Sequence, residues 1–260
     1  MLGITTEYGN IQISCSEDEG ESWSAPTTLF YGSSLLCPYG GMSRATMHLT
    51  EAGGRLWGGC EYGSWTYGSH IPAVFSIDAD DDLMQAENWT LSEFLPFAGE
   101  WKEASGGVQG DSMEGNILRM PNGELYNYLR WKSGQILRMK VNEKDPEAAL
   151  SFVDIIDVPL ANSLFRFIPY KEKWIVVGND PVVPRRRNLL SLFETKDLLH
   201  LEKLRDLIDY RDHDAELNGF QYPAFLLEGD ILLLTVRAAF NQAHNFHDAN
   251  YNLFMRVELE

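Results

Sequence analysis

An eight-residue segment near the start of the chain limits strongly how the chain can fold. It runs Ser16-Glu17-Asp18-Glu19-Gly20-Glu21-Ser22-Trp23 and fits the pattern S-x-D-x-G-x-x-W. The carboxylate of Asp18 can accept backbone N–H bonds inside a tight turn, and Gly20 permits a positive φ. Trp23 is expected to pack as an anchor between strands. The segment therefore predicts a turn between two β-strands, with structural roles for Asp18 and Trp23.

Short strands separated by turn residues follow one another along the chain, and no long helical pattern interrupts them. They sort into recurring four-strand modules, of which the first lacks its inner strand and the last its outer strand. The later modules cover residues 44–50, 55–61, 70–77 and 89–95; 114–120, 124–131, 135–141 and 151–158; 163–169, 173–178, 188–193 and 201–208; and 222–227, 231–237 and 251–258. Radial repetition of such modules predicts an all-β fold, a β-propeller of about five four-stranded modules in one domain, residues 1–260. A six-bladed propeller whose first portion is missing and a β-sandwich stay open.

Composition excludes some classes of partner. The net charge of −17 argues against nucleic acid, because proteins that bind it carry a basic face. No run approaches the eighteen or so apolar residues that a membrane helix needs. The three cysteines lack metal-ligand spacing, and no cofactor is predicted. No signal peptide precedes Leu2, although an export signal could lie upstream of this segment.

The antiparallel order inside a module predicts where functional groups gather. Loops that enter the inner strands and loops that join strands two and three lie at one edge, which we call the site edge. Arginine suits bidentate recognition of a carboxylate. The predicted substrate-binding residues at this edge are Arg44, Arg130, Arg185, Arg187, Arg237, His70 and Asn250, and Glu61, Arg166 and Arg186 are also expected there.

The segment Ala243–Asn250 is the second feature of the sequence that indicates a function. It holds His244, His247 and Asp248 together with two asparagines, a set that is costly to bury. Histidine titrates near neutral pH, so the pair suits general acid/base catalysis or substrate binding. Two other interpretations stay open: the imidazoles pin the loop, or they bind a metal whose third ligand comes from another module.

These segments resemble a known family. The octet resembles the Asp-box of sialidases, and residues 220–250, together with Glu114-Gly115-Asn116 and residues 121–127, resemble sialidase-like BNR-repeat proteins of polysaccharide-degrading bacteria. The resemblance covers nearly the whole chain. It implies a sialidase-type β-propeller that is exported and acts on a glycan or oligosaccharide. It also implies that Tyr222 is a catalytic nucleophile activated by Glu114, whereas the histidine pair is foreign to the sialidase pattern.

Three functions are consistent with these residues. The first is a glycoside hydrolase of sialidase-like type that acts on a terminal acidic sugar, with arginines holding its carboxylate. The second is a polysaccharide lyase in which His244 or Tyr222 removes the proton next to a uronate carboxylate. The third is a non-catalytic glycan-binding propeller. For the enzymes, we expect Glu114, Tyr222, Arg237, His244 and His247 to line one cavity.

Overall fold

The computed structural model describes residues 2–7, 9–32, 41–43, 48–64, 69–94, 112–181 and 186–259. Within these ranges the regular structure consists of β-strands and one 3-10 turn, Ala86–Asn88. No helix in them is long and apolar enough to cross a membrane. The strands are β1 Leu2–Glu7, β2 Asn10–Cys15, β3 Thr27–Phe30, β4 Gly41–Ser43, β5 Thr50–Ala52, β6 Arg55–Ser64, β7 Ser69–Asp78, β8 Thr90–Leu91, β9 Met113–Arg119, β10 Leu125–Lys132, β11 Gln135–Lys140, β12 Ser151–Asp157, β13 Arg166–Tyr170, β14 Lys173–Asn179, β15 Leu189–Thr195, β16 Glu202–Asp209, β17 Gly219–Glu228, β18 Ile231–Ala239 and β19 Tyr251–Glu258.

The strands form five sheets, and the strands of each sheet follow one another in sequence. Their orders are β1-β2-β3; β4-β6-β7-β8, with β5 also paired to β6; β12-β11-β10-β9; β13-β14-β15-β16; and β17-β18-β19. The predicted modules therefore match the observed sheets, and the last sheet has three strands, as expected. The predicted inner strand 44–50 falls partly outside the described residues, and the described strand there is β5. The number of blades stays a prediction.

The chain divides into two compact units. The first unit contains residues 1–129 and 137–155, and the second contains residues 130–136 and 156–260. In the first unit, alternate residues of β2 point inward, so that Ile11 and Ile13 join a core with Phe75. In the second unit, Phe220, Leu234 and other residues of the last sheet pack with residues of the β13–β16 sheet. The alternation in β2 follows from strand geometry, because successive side chains of a strand point to opposite faces of the sheet.

The octet forms a turn between β2 and β3, as predicted. The Asp18 carboxylate accepts hydrogen bonds from the Ser22 amide at 2.8 Å and the Ser22 hydroxyl at 2.5 Å, and from the Ser16 hydroxyl at 2.8 Å. The bonds from Ser22, and then that from Ser16, lower the pKa of Asp18 to about 2. Gly20 has the expected positive φ of 94°.

The prediction that Trp23 anchors between strands was wrong, whereas its structural role in the turn is not contradicted. Its side chain is 44% exposed and does not anchor the sheet core. The indole N–H donates to the Gly20 carbonyl oxygen at 3.1 Å. Trp23 lies within the turn, before β3 begins, and its indole bonds the turn backbone.

Candidate functional site

Tyr222 occupies a β-bulge near the start of β17. The register steps from Gln221–Arg237 to Ala224–Thr235, so Tyr222 and Pro223 lie opposite the single residue Val236. Tyr222 has a φ of 57°, in the left-handed region that bulky residues rarely adopt. Bulges redirect a side chain locally, and such strain is frequent at functional sites. Tyr222 is therefore both strained and redirected by the bulge.

Two guanidinium groups contact the Tyr222 ring. The Cζ atom of Arg237 lies 4.3 Å from the ring centroid, and that of Arg187 lies 5.6 Å from it. Cations at this distance are attracted by the ring quadrupole. The Nε and Nη2 atoms of Arg237 are buried, with no hydrogen-bond partner in the part of the chain that the structure describes. Donors held in this way suit an anionic ligand.

Gln221 connects Arg187 to the loop that carries the histidines. Arg187 donates to the Gln221 side-chain oxygen, and Gln221 Nε2 donates to the carbonyl oxygens of Phe246 at 2.9 Å and His247 at 3.1 Å. Gln221 is fully buried. Sequence reasoning missed this residue, because one glutamine in a strand carries no distinguishing signal.

Arg130 and Arg187 share a second partner, Asn162. Arg130 Nε donates to the Asn162 side-chain oxygen at 2.6 Å, and Arg187 Nη2 donates to the Asn162 carbonyl oxygen at 3.2 Å. Both arginines are buried. The structure thus brings together three predicted ligands of this unit, Arg130, Arg187 and Arg237, through direct or shared contacts.

The histidine loop, residues 240–250, lies at the same edge. His244, His247 and Asp248 are exposed. His247 Nδ1 is 3.4 Å from a carboxylate oxygen of Asp248, and Asn245 donates to the other carboxylate oxygen at 2.7 Å. The Asn245 bond first, and the His247 contact second, lower the pKa of Asp248. Catalytic roles for these residues stay a prediction.

Asn250 has a different environment from the one expected for a substrate ligand. Its side-chain nitrogen donates to the Phe240 carbonyl oxygen at 2.8 Å, and its side-chain oxygen accepts from the Phe240 amide at 3.2 Å. Both polar atoms of the amide therefore close the base of the histidine loop.

Arg166, at the start of β13, is 5% exposed. Among the described residues it forms no hydrogen bond or ion pair, and its guanidinium lies 6.0 Å from the Phe225 ring. Burial lowers the pKa of Arg166 to about 9. A buried charge without a partner is expensive, which marks Arg166 as a second candidate anion-binding group.

The first unit contains a pair of buried carboxylates. Glu114, in β9, has a φ of 55°, and its amide donates to Oε2 of Glu61 at 3.3 Å. His70 is also buried, and its carbonyl oxygen accepts the Ser112 hydroxyl at 2.5 Å. Glu61, which the sequence placed at the site edge without a role, is the carboxylate that accepts from the Glu114 backbone.

Some predicted site residues remain untested. Arg44 and Arg185 lie outside the described residues. The expected single cavity combines Glu114 of the first unit with Tyr222, Arg237, His244 and His247 of the second, and it stays a prediction. No three His, Cys, Asp or Glu side chains in the described ranges are grouped to hold a metal ion.

Comparisons with known proteins give a fold. No protein-family model and no curated protein matches the chain. Among solved structures, an exo-1,5-α-L-arabinanase from a bovine ruminal metagenomic library is 8% identical, with 97% of this chain and 91% of that chain covered and a TM-score of 0.59. Bacillus subtilis arabinanase is 10% identical, with 100% and 89% covered and a TM-score of 0.59. A GH43 β1,3-galactosidase with galactodeoxynojirimycin is 11% identical, with 100% and 90% covered and a TM-score of 0.60.

The likeness shows that the chain has an all-β propeller fold, as the strand pattern predicted. Solved structures with this fold include propellers of the GH43 glycoside hydrolases and a family 117 glycoside hydrolase. They give no support to the sialidase type of propeller or to the BNR relationship that the octet suggested. At identities near 10% the likeness establishes the fold, and the activity has to be argued from the site.

Proposed function

We propose that the protein is a glycoside hydrolase that acts on a terminal acidic sugar of a glycan. The observation that carries the proposal is the strained Tyr222, whose ring lies 4.3 Å from the Arg237 guanidinium. The solved structures with the same fold include arabinanases and β1,3-galactosidases, which supports hydrolysis of a glycan. The acidic sugar is inferred from the arginines, because a planar guanidinium matches a carboxylate.

Tyr222 serves as the nucleophile in this proposal. The phenol oxygen forms a bond to the anomeric carbon as the bond from that carbon to the leaving oxygen breaks, and the phenol proton passes to the leaving oxygen. Water then attacks the anomeric carbon, the bond to the tyrosine oxygen breaks, and a proton of the water returns to that oxygen. A neutral phenol approaches an anionic sugar with less repulsion than a carboxylate, and tyrosine nucleophiles are a known exception among glycosidases. Arg237, supported by Arg187, holds the sugar carboxylate. Activation of Tyr222 by Glu114 and export of the protein stay predictions.

The decisive experiment measures turnover of acidic and neutral substrates side by side. Purified protein is incubated with sialosides, uronate-capped oligosaccharides, arabinan and galactan, and released sugars are counted as reducing ends. We expect release from an acidic substrate, loss of turnover but retained binding in Tyr222→Phe, and weaker binding in Arg237→Lys. Release from arabinan or galactan alone would refute the acidic specificity, and full activity of Tyr222→Phe would refute the nucleophile.

A polysaccharide lyase is the second candidate, and the contact between His247 and Asp248 favours it. A histidine oriented by a carboxylate suits removal of the proton next to a uronate carboxylate. The same incubations distinguish the two enzymes, because a lyase produces an unsaturated uronate that absorbs ultraviolet light. Affinity for a glycan without either product would indicate a non-catalytic glycan-binding protein.

A further inference from the structure

A row of aromatic rings crosses the last sheet at the site edge. Phe220 of β17 and Tyr251 of β19 both pair in register with Ala238 of β18. The Phe240 ring lies 5.9 Å from the Phe220 ring and 4.5 Å from the Tyr251 ring, between centroids. We call these three rings the aromatic row. It leads from the strand that carries Tyr222 to the outer strand of the same sheet.

Tyr251 is the exposed end of the aromatic row. The next members of its face of β19, Leu253 and Met255, pack against the core, whereas Tyr251 is 45% exposed. Phe240 supports the Tyr251 ring at an interplanar angle of 31°. A large aromatic side chain is thus backed by a second ring and open to solvent, although burial would have been favourable.

The position of the aromatic row is fixed by hydrogen bonds. The Asn250 side chain makes two bonds to the backbone of Phe240, and the Asn250 amide donates to the Ala238 carbonyl oxygen at 3.1 Å. Beside it, Asn241 and Gln242 are exposed and have φ values of 49° and 68°. Consecutive left-handed residues cost conformational energy, so the turn that follows Phe240 is held in a strained conformation.

We propose that Tyr251 is a stacking platform for a sugar unit beyond the terminal one, so that the ligand is an oligosaccharide chain. An aromatic ring with an exposed apolar face and a polar hydroxyl suits the C–H face of a sugar ring and its hydroxyl groups. Because a rigid platform loses little entropy when a ligand binds, its support by Phe240 and Asn250 favours affinity. Two strand spacings of about 4.8 Å separate β17 from β19. A single sugar at Tyr222 therefore would not reach Tyr251.

The inference deepens the proposed function, since it assumes that a glycan occupies the site edge. Binding is tested with the full chain by affinity electrophoresis in polygalacturonate, polysialic acid, arabinan and β1,3-galactan. Isothermal titration with the mono- and tetrasaccharide of the retained polymer follows. The variants are Tyr251→Ala and Tyr251→Trp. Phe254→Ala is the matched control, because Phe254 lies on the same strand, points to the other face and is 72% exposed.

We expect Tyr251→Ala to bind the tetrasaccharide roughly threefold to tenfold more weakly, the range expected for one aromatic contact. Tyr251→Trp and Phe254→Ala should bind it as the wild type does, and monosaccharide binding should not change. Equal retention of Tyr251→Ala and wild type, an equal loss in Phe254→Ala, or retention of the wild type by none of the polymers would overturn the proposal. Binding through Tyr251 without turnover would refute only the hydrolase.

Discussion

Arg166 and Arg138 are two buried arginines in different environments. We predict opposite effects on the free energy of unfolding when each is replaced by methionine. Arg166 is 5% exposed and Arg138 is 8% exposed. Arg138 donates to the two carboxylate oxygens of Asp154 at 2.6 and 2.5 Å and to the Tyr128 hydroxyl at 3.1 Å. In the described part of the chain, Arg166 has no such partner.

The magnitudes follow from these environments. Burial lowers the pKa of Arg166 from 12.5 to about 9, and at about 1.36 kcal/mol per pKa unit the charge costs on the order of 5 kcal/mol. Methionine keeps an apolar stem of similar length. We expect Arg166→Met to raise the free energy of unfolding by about 1–4 kcal/mol, as when buried ionic groups are replaced by apolar ones. Arg138→Met should lower it by about 1.5–3 kcal/mol, the value of hydrogen bonds to charged groups.

Urea unfolding followed by circular dichroism and tryptophan fluorescence measures both changes in the absence of glycan. A destabilised Arg166→Met protein would refute the reasoning, because it would mean that the Arg166 charge is compensated in the folded state. A stabilised variant that also loses affinity for acidic sugars would indicate that the charge is kept for ligand binding.

Three further predictions concern the turn and the histidine loop. A Cβ at Gly219 would lie 2.3 Å from the Phe246 carbonyl oxygen, so Gly219→Ala is expected to lose about 1–3 kcal/mol in urea unfolding. Gly178→Ala is the control, because its Cβ would meet a leucine methyl group first. Equal stability of Gly219→Ala and Gly178→Ala would contradict the prediction. The pKa of Asp18 is about 2, below an unfolded value of about 3.9. The Asp18 carboxylate therefore stabilises the folded state fully above pH 4. The difference in the free energy of unfolding between the wild type and Asp18→Ala should shrink as acid titration lowers the pH through 2. If the enzyme is a lyase, replacing its base, in His244→Ala or in His247→Ala, should abolish the product that absorbs ultraviolet light. If it is a hydrolase, both variants should reduce the release of reducing ends only mildly.

The strands could be predicted because glycines in the sequence mark the turns between them. Gly53, Gly54, Gly123 and Gly229 all have positive φ values, between 60° and 83°. Each lies between two runs of strand-forming residues, where a residue without a Cβ is needed. The start of β17 could not be located in this way. Pro223 and the bulge interrupt its pattern, so the strand was predicted from residue 222 and begins at Gly219.

The sequence predicted which residues lie at the site edge, but it did not predict which side chains connect them. Strand order alone placed Arg187, Arg237 and Tyr222 at one edge, and the structure brings the three side chains together. Gln221 and Asn162, which connect the arginines to their surroundings, depend on distances between loops far apart in sequence. Gly219 is required because the Phe246 carbonyl oxygen lies against it, and no local pattern reports that approach.

Glu114 and Tyr222 share an unusual backbone conformation with five other non-glycine residues of the described chain. Each lies near the start of a strand, and their φ values are 55° and 57°. A side chain with a Cβ costs roughly 1–2 kcal/mol in this region, and glycine would remove that cost. Strain of this size persists only where the surrounding structure holds it, and it is frequent at functional sites. The two residues selected as nucleophile and activator from their strand context are thus also two that the fold holds at an energetic cost. At Tyr222 the strain coincides with a bulge and with two guanidinium groups near the ring, and this combination is the reason for proposing a chemical role there. The role of Glu114 stays a prediction.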